Sequence, residues 1–397
     1  MNTLDEDSRD ARFRQEVRRF IAENLPADMA RRNSHGYHAS RADTKAWTRI
    51  LHEKKGWSVP GWPEELGGPG WSLMQQFIFD DECTRAGAPL LDIFGLKLVG
   101  PVIYTFGSAD LVERFLVPFR RGEISWAQGF SEPNAGSDLG SLSTRATRDG
   151  DHYVIDGRKI WTSGAHQADY IFCLVRTGGP GSGGLSMILV DARSPGITIR
   201  PIIDISKSHS LNEVFFDGVR VPAANLIGEE NKGWKYARFL LENERAFAAE
   251  IPLNSKNLRT LKTLAAETRQ NGRSLADDPA FAARIAELEV ELAALEYMTL
   301  RALSGIDEGR LPVGSILKVR GSELCQRIGE MLVEVLGDYG AYLYSEARFL
   351  AGEPQLAPGP DLAPGLWAEA MYRRASSIYG GANEIQRTLI AKQYLEL

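Results

Sequence analysis

The hydrophobic residues of this sequence change period twice, and one layer of a single element type cannot satisfy both periods. From the N-terminus to about residue 124, and again over 228–397, apolar positions recur three and four residues apart, as on one face of a helix. Between 125 and 227 they form short runs of four to eight residues separated by turn formers, the pattern of strands. The chain therefore predicts an α+β multidomain fold. It has an N-terminal α-helical domain (1–124), a central antiparallel β-barrel or sandwich (125–227) and a C-terminal α-helical domain (228–397). The length of 397 residues agrees, because one core usually stops growing at about 250–300.

In the first zone Phe13, Val17, Phe20 and Ile21 mark a helix that Asn24-Leu25-Pro26 ends. Residues 43–55, 72–86 and 108–117 read as helices, and Gly56 to Gly70 as a loop broken by Pro60, Pro63, Gly67, Gly68 and Pro69. In the second zone the strand runs are Tyr153-Val154-Ile155 before a turn at Asp156-Gly157, Tyr170 to Arg176, Leu185 to Val190, Ile197 to Pro201, and Glu213 to Phe216 before a turn at Asp217-Gly218. Thr177 to Gly184 reads as a hairpin tip and as the most flexible piece; it lacks the Lys-Ser/Thr and the helix of a phosphate loop. In the third zone Phe281, Ile285, Leu288, Val290, Leu292, Leu295 and Leu300 form a stripe over 280–305, and 316–336 repeats the pattern. Gly352 to Gly365 is a Pro/Gly-rich link, and the last helix covers about 382–395.

Composition narrows the function. Lys+Arg is 46 against Asp+Glu 52, a net charge of −6 that argues against a chain-wide nucleic-acid footprint. No apolar run approaches the roughly 18 residues of a membrane span, and the acidic start predicts no secretory signal. Cys83, Cys173 and Cys325 are too sparse for a disulfide framework and fit a reducing cytoplasm. The six histidines form no HExxH and no Cys/His cluster, so no metal site is expected.

Two stretches carry chemistry. Gly129-Phe-Ser-Glu-Pro-Asn-Ala-Gly-Ser-Asp138 offers the hydroxyls of Ser131 and Ser137 among Gly and Pro that leave backbone amides accessible. It can bond a polar heteroaromatic edge, or it is a turn-rich linker. Lys159-Ile-Trp-Thr-Ser-Gly164 sets Trp161 beside two hydroxyls. Its indole is either a flat face for a ring, with Ser163 donating to it, or a core residue.

Together these stretches resemble the paired flavin-cradling signatures of the acyl-CoA dehydrogenase family. The likeness runs through Pro63-Glu-Glu-Leu-Gly-Gly-Pro-Gly70, Val214-Phe-Phe-Asp-Gly-Val-Arg-Val-Pro222, Asn225-Leu-Ile-Gly228, Gly233-Trp234 and Ile378-Tyr-Gly-Gly-Ala-Asn-Glu-Ile-Gln-Arg387. It implies a helical domain, a β domain and a four-helix bundle, with FAD as cofactor, an acyl-CoA as substrate and an electron-transfer flavoprotein as acceptor. By the same resemblance Gln128, Phe130 and Ser131 line the flavin. Ser137 touches flavin or the CoA pantetheine. Trp161 packs on the isoalloxazine, Ser163 bonds near N5, and Ala382, Asn383 and Glu384 complete the cofactor site. An acyl-CoA oxidase, a flavin monooxygenase and a non-catalytic subunit share the fold as alternatives.

The family reaction needs a carboxylate base for a weakly acidic α-proton. Many members carry it two residues after the first residue of the C-terminal Ile-Tyr, where this chain has Gly380. Others carry it on an earlier helix before an arginine, and Glu244 before Arg245 matches that position, eleven residues after Gly233. The resemblance thus makes Glu244 the base, with Glu242, Arg245 and Gly380 as substrate contacts; the plain alternative is that Glu242, Glu244 and Arg245 form a solvated helix face. Gly380 would donate its N–H to the thioester carbonyl and leave room for a branched acyl group. Phe94, Gly95 and Gly100 are expected near the pocket floor, their glycines giving space.

Assembly shows a second departure. The family homotetramer lends each neighbour an arginine and a glutamine for its flavin; here Thr268 and Glu334 stand at those places. A carboxylate near a pyrophosphate is unfavourable. The combination resembles the large subunit of bacterial pimeloyl-CoA dehydrogenases and two-gene steroid side-chain dehydrogenases. It implies an α2β2 heterotetramer with a homologous subunit, or a homotetramer that substitutes Arg269 or Arg273.

Overall fold

The computed structural model describes residues 8–34, 40–244, 249–303, 313–344 and 359–394. Four helices open the chain: α1 (Ser8–Asn24), α2 (Ala27–Ser34), α3 (Arg41–Lys55) and α4 (Leu73–Arg85). Their starts and stops are local chemistry. Ser40 accepts the N–H of Asp43 to begin α3, and Gly56 at φ 70° ends it. Ser72 and Gln75 form a capping box on α4. Phe13, Phe20, Trp47, Trp57 and Phe79 pack between these helices.

A π-helical turn (Phe94–Val99) then leads into α5 (Gly100–Phe106), and short helices α6 (Ala109–Leu111) and α7 (Val117–Arg120) follow. The glycines here do not make space. A Cβ on Gly95 would lie 2.1 Å from the Phe119 ring, and one on Gly100 would lie 2.3 Å from the Gly95 carbonyl and 2.6 Å from Trp62. They are glycine because neighbours fill the volume, which corrects the expectation of a roomy floor.

Seven strands form one sheet: β1 (Trp126–Gly129), β2 (Arg145–Asp149), β3 (His152–Lys159), β4 (Tyr170–Arg176), β5 (Leu185–Asp191), β6 (Ile197–Ile202) and β7 (Leu211–Pro222). Its order is β1-β4-β2-β3-β7-β6, with β5 on β4. The sheet is mixed, because β1 and β2 both pair with β4 in parallel. Strand β4 is buried on both faces. Phe172 and Leu174 meet the core shared with the helices around Phe115, and Ile171, Cys173 and Val175 meet the core under β3 and β7.

Two expected turns meet at one bulge instead, with the extra residue on β7. Asp156-Gly157 lies inside β3, where the register against β7 shifts, and Asp217-Gly218 lies inside β7. The Asp156 carboxylate accepts the Gly218 N–H at 2.8 Å and so closes this bulge across the ladder. The β4–β5 hairpin tip is also tied down rather than loose. Arg176 donates to the carbonyls of Gly179 (2.6 Å), Gly181 (2.9 Å), Gly140 (2.9 Å) and Leu142 (2.8 Å).

The C-terminal helices are α8 (Gly233–Glu244), α9 (Ile251–Glu267), α10 (Pro279–Leu303), α11 (Val313–Val335), α12 (Ala363–Tyr372) and α13 (Asn383–Tyr394). Helix α11 is central and packs on α9, α10, α12 and α13. The α10 stripe is Phe281, Ile285, Leu288, Leu292 and Leu295; Val290 falls off that face and is 72% exposed. Residues 352–358, half of the Pro/Gly-rich link, lie outside the described residues.

Polar joints tie the helices to the sheet. Asp92 pairs with Arg41 at 3.1 Å and accepts the Trp126 N–H at 2.8 Å, while Arg41 donates to the Trp126 carbonyl at 3.0 Å. Asp169 accepts from Lys45 (2.6 Å) and from the Ser125 N–H (2.8 Å).

Candidate functional site

The site grows from the ends of β1 and β3. Gly129 must be glycine, since a Cβ there would lie 2.8 Å from Cys173 Sγ. Gln128 is half-buried. The Phe130 ring turns inward and meets Phe172 edge-on at 5.6 Å, so of this residue the backbone is what remains for a ligand to meet. The Ser131 carbonyl accepts the Ile160 N–H at 2.9 Å and brings the two chemistry-bearing stretches side by side.

A buried ion pair that sequence reading missed locks them together. Lys159 Nζ, fully buried, donates to Glu132 Oε1 at 2.8 Å and to the Phe130 carbonyl at 3.0 Å. Glu132 also accepts the Ser143 N–H (2.7 Å), the Ser143 hydroxyl (2.8 Å) and the Thr144 N–H (2.9 Å). Burial raises the Glu132 pKa, but Lys159 and these donors outweigh it and hold the carboxyl down at about 2. Burial pulls the Lys159 pKa down, with Glu132 opposing. The sequence signal was an acid and a base at the two hydroxyl-rich stretches, 27 residues apart.

Trp161 is not a core residue. It is 56% exposed and sits at φ 60°, the left-handed region that ordinary residues avoid. Thr162 beside it is fully buried, and its hydroxyl has no partner among the described residues. Ser131 and Ser163 are half-buried and Ser137 is exposed; none of their hydroxyls bonds to another described residue. An exposed indole face, free hydroxyls and one orphaned buried hydroxyl fit a flat ring with a polar edge. Next to them runs a groove of about 970 Å³ lined by Ser137, Leu139, Ser141, Arg145, Arg176 and Trp234.

Helix α8 starts against the sheet, where a Cβ on Gly233 would lie 2.7 Å from Ser186. Glu242 and Glu244 lie in its last turn, but their side chains, and Arg245 entirely, lie outside the described residues. On the other side, Gly380 and Gly381 form an exposed turn at φ 66° and 87°. That conformation is one that glycine adopts without cost. Tyr379 before it receives a 3.1 Å bond from Arg373, which also pairs with Glu250 at 2.8 Å and Glu369 at 2.7 Å. Burial raises the Tyr379 hydroxyl above its ordinary range.

Helix α13 opens with Asn383, whose buried side chain bonds Lys318 (3.2 Å) and Ser322 (3.0 Å) and so ties this turn to the bundle. Ala382 is half-buried and Glu384 exposed. Glu334 is held bidentate by Arg284 at 2.8 and 2.7 Å, which keeps its carboxyl below the usual range. Thr268 leads into a small hairpin, β8 (Arg269–Gln270) with β9 (Arg273–Ser274), whose arginines are exposed. No helix among the described residues is long and apolar enough to cross a membrane.

Three family models match in succession: the acyl-CoA dehydrogenase N-terminal domain at 7–123, its middle domain at 127–219 and its C-terminal domain at 231–395. The chain is 34% identical to "Acyl-CoA dehydrogenase IpdE1" of Mycobacterium tuberculosis, over 97% of each. It is 30% identical to a chain of the ChsE4-ChsE5 complex of M. tuberculosis, covering 100% of this chain and 99% of that one at a TM-score of 0.85. The "Tcur3481-Tcur3483 steroid ACAD" matches at the same identity, the same coverage and a TM-score of 0.85.

Proposed function

The chain belongs to the acyl-CoA dehydrogenase family, and from that premise we propose that it dehydrogenates a bulky acyl-CoA thioester to the trans-2-enoyl-CoA as the base-bearing subunit of an α2β2 heterotetramer. The observation that carries this is the exposed, left-handed Trp161 beside free hydroxyls, a seat for FAD's ring. FAD, when bound, supplies the acceptor for the β-hydride.

The chain's own residues do the rest. Glu244 takes the α-proton, and Arg245 and Glu242 at the same helix end orient it or the CoA chain. The Gly380 N–H donates to the thioester carbonyl as negative charge develops, a contact commonly worth about 2.7–4 kcal/mol. The pantetheine runs along the groove past Ser137. Gln128, Ser131, Ser163, Ala382 and Glu384 hold the cofactor. Electrons pass on to an electron-transfer flavoprotein in the cytoplasm.

The heteromeric reading rests on Thr268 and Glu334, which stand in place of the family's arginine and glutamine, Glu334 being already paired with Arg284. The two-chain complexes named above support it, and the steroid ACAD supports a ring-bearing acyl group. The division near 124 and 228 draws support from the gaps between the family models, 123–127 and 219–231.

The test is co-expression with the neighbouring homologous subunit, then anaerobic bleaching of the flavin by C4 to C16, dicarboxylyl and steroid-derived acyl-CoAs. Glu244→Gln should stay yellow and lose about 10²–10⁴-fold in rate. Near wild-type turnover in that variant rejects Glu244. Full flavin occupancy and activity in the chain alone reject the obligate partner, and aerobic H₂O₂ without an added acceptor marks an oxidase.

A further inference from the structure

Trp161 stays left-handed because the peptide groups around it are held from outside. On its N-terminal side the Ile160 N–H bonds the Ser131 carbonyl at 2.9 Å. On the other side one residue, Asn212 at the start of β7, takes both groups of Thr162. The Asn212 carbonyl accepts the Thr162 N–H at 2.9 Å, and Asn212 Nδ2 donates to the Thr162 carbonyl at 3.0 Å. The Gly164 N–H bonds the Ser210 carbonyl at 2.7 Å. Asn212 is fully buried.

Its side-chain amide is fixed in turn by two histidines. The Thr162 carbonyl only accepts, so Nδ2 must lie on that side. Nδ2 then also donates to His166 Nδ1 at 3.1 Å, which puts the His166 proton on Nε2. Asn212 Oδ1 accepts from His209 Nε2 at 2.8 Å. The two imidazoles stack at 3.9 Å with their planes 18° apart. Three contacts thus converge on one side-chain amide, and nothing in the sequence motif around Trp161 required them.

We propose that Asn212 and the stacked His166–His209 pair form a positioning unit that sets the attitude of the Trp161 indole, and through it the affinity for FAD. The FAD half of this statement rests on the function proposed above; the indole half does not.

The unit is tested in the full chain, with its partner subunit if FAD requires one, labelled with 5-fluorotryptophan. Trp161→Phe identifies the Trp161 fluorine resonance. His209→Phe keeps a ring to stack and removes the donor to Asn212; His209→Gln keeps a donor and removes the ring. His209→Phe should shift or broaden the Trp161 resonance while leaving the other seven tryptophans, and weaken FAD binding about tenfold, the scale of one positioning hydrogen bond. His209→Gln should restore most of both. Asn212→Asp should exceed His209→Phe, but it is buried and the histidine pair decides if it fails to fold. An unmoved Trp161 resonance with FAD affinity within about twofold in His209→Phe overturns the unit. A wild-type complex that binds no FAD overturns the functional reading while the fluorine spectra still judge the indole.

Discussion

Breaking the Lys159–Glu132 pair should cost stability asymmetrically. Both side chains are almost wholly out of water, at 0% and 5% exposure. Removing one partner of such a pair commonly costs about 3–5 kcal/mol, because the other charge stays buried. The two partners are not equally supported. In Lys159→Met the carboxylate keeps three donors from Ser143 and Thr144, so the loss should sit near about 3 kcal/mol. In Glu132→Leu the ammonium keeps only the Phe130 carbonyl, and those three donors lose their acceptor, so about 5 kcal/mol or more is expected. The double variant should fall well short of the sum, since it removes the stranded charge. The assay is urea unfolding of the flavin-free chain, followed through a β-domain probe. Acid gives a second reading. The Glu132 pKa, held at about 2, lies below its unfolded value, so its contribution is present above the ordinary carboxylate range and fades as pH falls toward 2. Lys159→Met should remove that slope. Equal losses in the two single variants, or Lys159→Met within about 1 kcal/mol of wild type, would refute the reasoning.

Three further outcomes follow from the packing and charges described. Gly95→Ala should lose about 1–3 kcal/mol in thermal or urea unfolding, because its methyl enters the Phe119 ring; a neutral result would mean the π-turn yields freely. Thr268→Arg with Glu334→Gln should raise the FAD-to-protein ratio of the chain expressed alone, read by absorbance, with little change in stability since the exposed Glu334–Arg284 pair contributes about 0–1 kcal/mol. His166 is pushed below its ordinary pKa, first by burial, then by His209 and by Arg41, which Asp92 pairs. Stability tied to it is therefore complete above the unfolded histidine range and is lost as pH falls to the lowered folded value. Titrating the imidazole proton shifts by NMR should show a midpoint below that of free histidine.

What was legible in the sequence was set by neighbours along the chain. Tyr170 to Arg176 read as a strand because an apolar run bounded by turns needs no distant information. The Pro279–Leu303 stripe read as a helix for the same reason, apart from Val290. The misreadings share a cause. An Asp-Gly pair announces a left-handed residue but not whether the chain reverses there, and cross-strand pairing set both pairs opposite each other at one bulge. A glycine announces a missing side chain but not whether the gap is open, and at Gly95 a distant phenylalanine fills it. Charges that meet across many residues, Glu132 with Lys159 and Glu334 with Arg284, leave no local trace. Trp161 stood out through its resemblance to a motif, and it is exposed, yet its strained backbone and the side chains that hold it were not foreseeable from that motif.

The joint at Trp126 has a mechanical consequence. Its N–H and carbonyl are both taken by residues of the N-terminal helical zone, Asp92 and Arg41, which are themselves paired. The same strand runs on to Gly129, where the Gly129–Asp138 stretch of the candidate site begins. The N-terminal helices therefore cannot swing off the sheet without unzipping the first strand of the cradle. The N-terminal helical zone and the β zone, different in sequence texture, should consequently share one opening event at this seam, and hydrogen exchange at β1 should report the loosening of α3 at the same rate.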